Sequence, residues 1–498
     1  MNNNLSFCIV GSGTAGLVSA LMLRRAFTNS EITIISSSKI GIIGVGEGST
    51  EHWREFMNQC DIPTSELIEN TSATHKYGLR FENWTTHTPD YFHSIGGVDE
   101  IFAHGLYATY AGFIDSNKLI TSQTGSVGLV QNKIGRRNIH MTTNQFHFDT
   151  NKLNDYLTGL CFSRMIKFID AEVDSIELDS ETGEISSVTT EQQSIVSADF
   201  WIDATGFSRV LMTKLGNTEW ESFSPYLLCD SAIAFPTESD PNGQIRPYTR
   251  ARAASSGWMF EIPTQERRGN GYIFSSAHIS TDKAIEEAEA MTGYKVPENP
   301  KTFKYDAGFL KNQWVKNCVS VGLASSFVEP LEATSIGSTL IQLKVLIQNV
   351  ASYTKKSSKM QIAYNKTITQ TMRNILTMIR LHYVSDRRDT QFWTDQATMP
   401  LNDELEELID LWSEKAPSRY DPYQEPNLMF HVPHLVHVMQ GQGLLPKEPS
   451  SLALDRLNLR QKVNMEMDNF RNSRHNHELI DHKIGLLEIG HLDEEYKQ

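Results

Sequence analysis

Apolar positions along this chain follow two rhythms. Near the N-terminus, residues 6–10 hold the short apolar run "FCIV" after Ser6, which predicts a β-strand. "GSGTAG" follows, and then "LVSALMLRRAF", whose apolar residues recur at helical spacing. "EITII" (31–35) predicts a second strand. In the middle of the chain, "EISSVTT" and "IVSADFWIDATGFSR" predict strands, the second ending in the small-residue turn Ala204-Thr205-Gly206. "GWMFEIPTQERRGNGYIFSS" predicts a hairpin turning around Gly269-Asn270-Gly271. From about residue 336 onward helical spacing dominates, and the charged, His-containing tail ("RNSRHNHELIDH") predicts a solvated helical face without metal-ligand spacing.

The first three elements are strand, glycine turn, helix and strand, the opening βαβ unit of a dinucleotide-binding fold. Gly11, Ser12, Gly13, Thr14, Ala15 and Gly16 make the candidate phosphate loop. Gly11 permits the tight turn, Gly13 lets the backbone approach a pyrophosphate, and Gly16 lets the helix pack close to the strand. The helix start offers free N–H groups and a positive dipole end to the phosphates. Such folds usually end their second strand in an acid that holds the ribose. Here "IISSSK" supplies Ser36 and Ser37, which bond a hydroxyl more weakly than a carboxylate does. No second glycine motif lies in a strand–turn–helix context. One dinucleotide is therefore expected. If it is FAD, it must be reduced from elsewhere.

Composition narrows the class. The 498 residues leave room for two or three domains or one composite domain, and 39% hydrophobic content supports sizeable cores. A net charge of −15 argues against a nucleic-acid surface or a polybasic membrane anchor. Five scattered cysteines without a CxxC pair fit a reducing compartment and no zinc site. No run of eighteen apolar residues exists to span a membrane, and the first apolar run leads straight into glycines rather than a cleavage site. A cytoplasmic protein with no metal is the expectation.

"FVEPLEATS" (327–335) places two acids where an apolar strand-like stretch hands over to an apolar helical one. A helix start near Thr334 presents unpaired N–H groups, an anion site. In the same chain stand, in order, "VGSGTAG", "IGVGEGST", "HKYGLRFENW", "DATGFSR", "GWMFEIP", "FVEPLEATS", "LHYVSDRRDTQFW" and "GQGLLP". This set resembles the flavin-dependent halogenases of the tryptophan halogenase family, over roughly residues 6–450. The resemblance implies an α/β (α+β) fold: a flavin monooxygenase-like FAD-binding box with a helical second layer, in one composite domain. Residues 1–345 would form the box, with substrate-side segments inserted at about 51–150 and 211–300. Residues 346–498 would form the mainly helical layer and tail.

In that family, reduced FAD and O₂ give a flavin hydroperoxide, halide attacks it, and hypohalous acid passes through a tunnel to an electron-rich aromatic. The resemblance then assigns roles to positions. Lys76 would position the hypohalous acid or form a haloamine. Glu332 would orient it and accept the arenium proton. The backbone amides of Thr334 and Ser335 would bind halide, and Ile336 would lie against FAD. Val45, Gly46, Glu47 and Gly48 would form a strap touching FAD. Trp258 and Phe260 would fence flavin from substrate, with Phe260 where the family carries a second tryptophan. His93 and Ile95 would line the substrate side, Ile95 replacing a phenylalanine and His434 standing where a clamping tryptophan is expected. Glu329 reads as the structural acid of the pair. Loss of the aromatic clamp leaves other indoles, phenols or a carrier-tethered aromatic open as substrates. A separate flavin reductase would supply FADH₂, and homo-oligomerisation is left open. A flavin-dependent hydroxylase of the same fold and a non-catalytic flavin-binding protein are the alternatives.

Overall fold

The structure is a computed structural model that describes residues 4–41, 44, 46–94, 124–136, 145–240, 243–354, 358–423, 425–473 and 478–495. Val45 and Ile95 lie outside the described residues.

Phe7–Val10, the helix Thr14–Ala26 and Ile32–Ser36 form the βαβ unit that the apolar spacing predicts. Phe7–Val10 sits at the centre of a six-stranded sheet, paired in parallel with Ile32–Ser36 on one side and Phe200–Asp203 on the other. Asp203 ends its strand buried and fastens the next turn. Its carboxylate accepts the Thr205, Leu211 and Met212 amides at 3.1, 2.9 and 2.9 Å.

A seven-stranded sheet makes the second layer, in the order 301–304, 231–238, 267–274, 257–263, 249–253, 78–82, 90–94. Its pairs are antiparallel except the parallel join of 249–253 to 78–82. A small third sheet pairs Gln145–Phe148 with Thr74–Lys76 on one edge and Glu47–Gly48 on the other. One hydrophobic core runs from Phe7 to Leu445 through both large sheets and the helices Thr334–Val350, Ser358–His382 and Val432–Gly441. The helix Thr334–Val350 packs against the glycine-loop helix and against His52–Gln59. Among the described residues no helix is long and apolar enough to cross a membrane.

Two expectations are corrected. The 257–274 hairpin exists, but it turns at residues 264–266, where Thr264 N–H donates to Arg267 O at 2.9 Å. Gly269, Asn270 and Gly271 lie inside the second strand. Gly271 is there because Phe260 lies across it: a Cβ would sit 2.2 Å from the ring. Asn270 is buried and donates to Thr237 Oγ1 at 2.9 Å. The second correction concerns the tail. Leu479–Ile480 form a strand paired with Ile134–Gly135, and His482 is buried. Its Nε2 accepts the His75 amide at 3.0 Å, directly beside Lys76 in sequence.

Candidate active site

The glycine loop is shaped for a phosphate. Gly11 has φ of +104°, and a Cβ there would meet Ala204 O at 2.3 Å. At Gly16 a Cβ would meet Gly11 O at 2.0 Å, so loop and helix close on each other. Nothing lies within 4 Å of the Cβ position of Gly13, which leaves that face open. Gly13 caps the helix without a side-chain hydrogen bond, so the first-turn amides are unclaimed. These features fit a dinucleotide pyrophosphate. Ser36 ends the second strand half-buried, and acids reach this edge from a neighbouring strand. Asp170 accepts Ser38 N–H at 2.8 Å, and Glu172 accepts Ser37 Oγ at 3.3 Å.

Lys76 ends its strand with 1% exposure, and its Nζ donates to Ser49 O at 2.8 Å. Burial pushes its pKa down to about 8, against the upward pull of Glu332 and Glu51. Glu47 and Gly48 lie one strand away, and burial raises Glu47 to about 7. A Cβ on Gly48 would sit 3.5 Å from Lys76 Nζ and 3.3 Å from Ala333 Cβ. The glycine therefore lets the strap, the lysine and the 327–335 segment meet. The lowered pKa has a consequence for stability. Below pH 8 the ammonium is buried charged and its cost is constant. Between about 8 and 10.5 the folded chain sheds the proton that the unfolded chain keeps, so the cost fades as pH rises. Lys76→Met should therefore be more stable than wild type at pH 7, by on the order of 2–3 kcal/mol, with the difference shrinking by pH 10.5. Urea melts across pH 6.5–10.5 measure this, and a pH-independent difference would contradict it.

The "FVEPLEATS" turn folds as a 3₁₀ segment Pro330–Glu332, a left-handed Ala333 (φ +56°) and a helix from Thr334. Ala333 provides no side-chain cap, and the Thr334 and Ser335 amides belong to the unsatisfied first turn. Thr334 and Ile336 are buried, and Ser335 is half-buried. Glu332 is 3% exposed and receives two imidazoles. His93 Nδ1 lies 3.0 Å from each carboxylate oxygen, and His382 Nε2 lies 2.8 Å from Oε1. Burial opposes its charge, but His93 and His382 outweigh that and hold its pKa well below the carboxylate range. Behind His382, Nδ1 meets Tyr91 OH at 2.9 Å, and Gln442 Nε2 donates to that hydroxyl at 3.2 Å. Behind His93, Nε2 meets His434 Nδ1 at 3.1 Å.

Glu329 faces a different environment from Glu332. It is fully buried, and its Oε2 accepts Trp258 Nε1–H at 2.8 Å and Tyr383 OH at 2.5 Å. Burial raises its pKa to about 7. The carboxylate thus anchors the indole of Trp258, which packs at 5.9 Å from the half-buried Phe260 and 6.2 Å from Trp84. Glu329→Leu leaves the Trp258 N–H buried and unpaired and the Tyr383 hydroxyl with only the weak Cys229 Sγ contact at 3.6 Å, and should cost about 2–4 kcal/mol. Glu329→Gln keeps an acceptor and should cost less than half of that. Thermal denaturation of both variants checks it, and equal melting temperatures for Leu and Gln would refute the anchoring role.

The structure brings Lys76, Glu332, His93 and Gly48 together and sets Trp258, Phe260 and Glu329 in a neighbouring wall. Sequence reasoning missed His382, Tyr91 and Gln442. A signal existed: His382 lies in "LHYVSDRRDTQFW" and Gln442 in "GQGLLP", motifs without an assigned role that both converge on Glu332. Among the described residues no group of three His, Cys, Asp or Glu is placed to hold a metal.

A parallel-sheet glycine loop, joined by one packed helix to the segment that carries buried Glu332 beside Lys76, defines a mixed α/β fold of dinucleotide-binding type. The comparisons narrow this. The tryptophan halogenase family model matches residues 6–456. Tryptophan 7-halogenase RebH of Lentzea aerocolonigenes is 30% identical, over 89% of this chain and 90% of that protein. The structure of BrvH, a flavin-dependent halogenase from Brevundimonas sp. BAL3, superposes with a TM-score of 0.85 at 27% identity, covering 98% of this chain and 99% of that one. The tryptophan 6-halogenase SttH of Streptomyces toxytricini gives 0.86 at 25% identity, covering 98% and 100%. The chain belongs to the tryptophan halogenase family and is an enzyme of flavin-dependent oxidoreductase type.

Proposed function

We propose that this enzyme halogenates an electron-rich aromatic ring of indole or phenol type, using hypohalous acid held by Lys76 and a ring proton accepted by Glu332. The carrying observation is that these two buried, oppositely charged groups lie on either side of Gly48 and Ala333, close enough for Glu332 to act on the lysine's charge, at the start of the helix that packs on the glycine loop. The residues Gly11 to Gly16, Ser36, Gly46 to Gly48 and Ile336 would hold FAD, and the Thr334 and Ser335 amides would hold halide. Bound in reduced form with O₂ and halide, the flavin supplies hypohalous acid. A separate reductase would provide the reduced flavin, in keeping with the single glycine loop.

The chain's own groups do the rest. Lys76 Nζ, held by Ser49 O, points the hypohalous acid at one place and polarises its oxygen as leaving group. A ring carbon bearing both hydrogen and halogen is strongly acidic, so even a carboxylate of lowered pKa removes its proton. His93 and His382 keep Glu332 ionised and aimed for that step. The sum is HOX + ArH → ArX + H₂O, with the ring proton and the hypohalous oxygen leaving as water.

Phe260, in place of a second tryptophan, favours aromatic hydroxylation as the second reading. Reductase-supplied FADH₂, O₂ and each of chloride, bromide and iodide, given with a panel of indoles and phenols, separates the two. Products whose mass and isotope pattern follow the halide support halogenation. An oxygenated product that is the same with every halide would replace it with hydroxylation.

A further inference from the structure

We infer that Glu51 is a positioning residue for Lys76, a second carboxylate beside Glu332 that holds the buried amine as an ammonium. This rests on the proposed role of Lys76 and names a further residue that sets its charge.

Glu51 stands where an acid ordinarily caps a helix. It precedes His52–Gln59, yet its side chain makes no hydrogen bond to the first-turn amides. The carboxylate instead accepts Gln145 Nε2–H at 3.2 Å. Gln145 is the residue directly opposite Lys76 in the ladder between Gln145–Phe148 and Thr74–Lys76, so the two side chains leave one face as neighbours. The loop that carries Glu51 is fastened to the same strands. Ser49 N–H donates to Phe146 O and Phe146 N–H donates to Ser49 Oγ, each at 2.8 Å. Ser49 O, two residues before Glu51, accepts Lys76 Nζ at 2.8 Å. One short segment thus gives the lysine a carbonyl at Ser49 and a negative charge at Glu51, while Glu332 lies beyond Gly48 and Ala333.

An ammonium buried this fully persists only if charge offsets its lost hydration. Burial brings Lys76 down to about 8, and Glu332 and Glu51 both pull against it. Glu51 is ionised at neutral pH, because the nearby imidazoles, its own backbone N–H and Gln145 outweigh the cost of its burial. The other groups facing the pair are Glu47 and His147 around Lys76, and His52, His434 and Lys344 around Glu51. Burial pushes the three histidines down, so they titrate below neutral pH, and Glu47 titrates at about 7. Above pH 8, Lys76 is the member of this cluster whose charge Glu51 is placed to hold. Without Glu51 the amine sheds its proton nearer neutrality and no longer polarises the hypohalous oxygen as a cation.

Urea melts of the full chain loaded with oxidised FAD, across pH 6.5–10.5, test this without turnover. The quantity read is the stability gained on Lys76→Met, measured in the wild-type and Glu51→Gln backgrounds, so that changes common to both cancel. Removing the carboxylate lowers the folded-state pKa of Lys76 further. The gain should therefore be larger at pH 6.5 in Glu51→Gln, and should begin to fade about 1 pH unit lower than in wild type. Glu51→Asp, which keeps the charge, should restore most of the wild-type profile. A role confined to holding the loop would change stability without moving the pH at which the gain fades. The Glu51 side chain is 32% exposed, so the fold should tolerate these changes, and Glu51→Ala gives the same comparison if the Gln variant does not fold. An unmoved profile in the uncharged variants would overturn the inference. A moved profile with no halogenated product from any ring would leave Glu51 assigned and refute the halogenase reading. Halogenation with an unmoved profile would do the reverse.

Discussion

Lys76→Ala should abolish aromatic halogenation while flavin reoxidation by O₂ continues at the wild-type rate. The loss should be at least about 10²–10³-fold, the scale of removing one preorganised charge that acts on the reacting atoms. The lysine stands on the Thr74–Lys76 strand, with its Nζ against Gly48 and held by Ser49 O rather than by the glycine loop. Its loss should therefore spare flavin chemistry. Product formation by chromatography and flavin oxidation by absorbance give the two rates from one reaction. Lys76→Met, which fills the same buried space, separates loss of the amine from a cavity effect. An alanine variant that halogenates near the wild-type rate would remove Lys76 from the mechanism.

Glu332→Gln should slow halogenation by about 10²-fold or more, the scale of a positioned base. Glutamine fills the same volume, so the fold should persist. It cannot serve both imidazoles as carboxylate does: its carbonyl accepts from one of His93 and His382, and its amide N–H faces the other. Single-turnover rates with a fixed supply of hypohalous acid measure the effect. An unchanged rate would leave Glu332 only the task of ordering two histidines.

Much of this was legible in the chain. The glycine loop between Val10 and Leu17 fixes a local geometry that few other sequences need, and the structure builds it as expected. The helix start at Thr334 was also legible, because a proline and two acids interrupt an apolar run just before helical spacing begins. Where the reading failed, distant packing decided. Gly269-Asn270-Gly271 has the composition of a turn, yet Gly271 is small to admit Phe260 from the facing strand. His482 looked like part of a solvated tail until the Leu479–Ile480 strand carried it under His75. The Glu332 network joins Tyr91, His93, His382, His434 and Gln442, drawn from segments up to 351 positions apart, and no periodicity encodes such a meeting.

The central claim is that halogen reaches the ring inside the pocket, between Lys76 and Glu332, and not from solution. Its most direct test is bromination of an indole with an excess of a thioether that destroys free hypobromous acid. The expected result is that wild-type yield is unaffected by the scavenger, while any residual product of Lys76→Ala disappears. Equal suppression of wild type and variant would contradict the claim, because the halogenating agent would then be acting after leaving the protein.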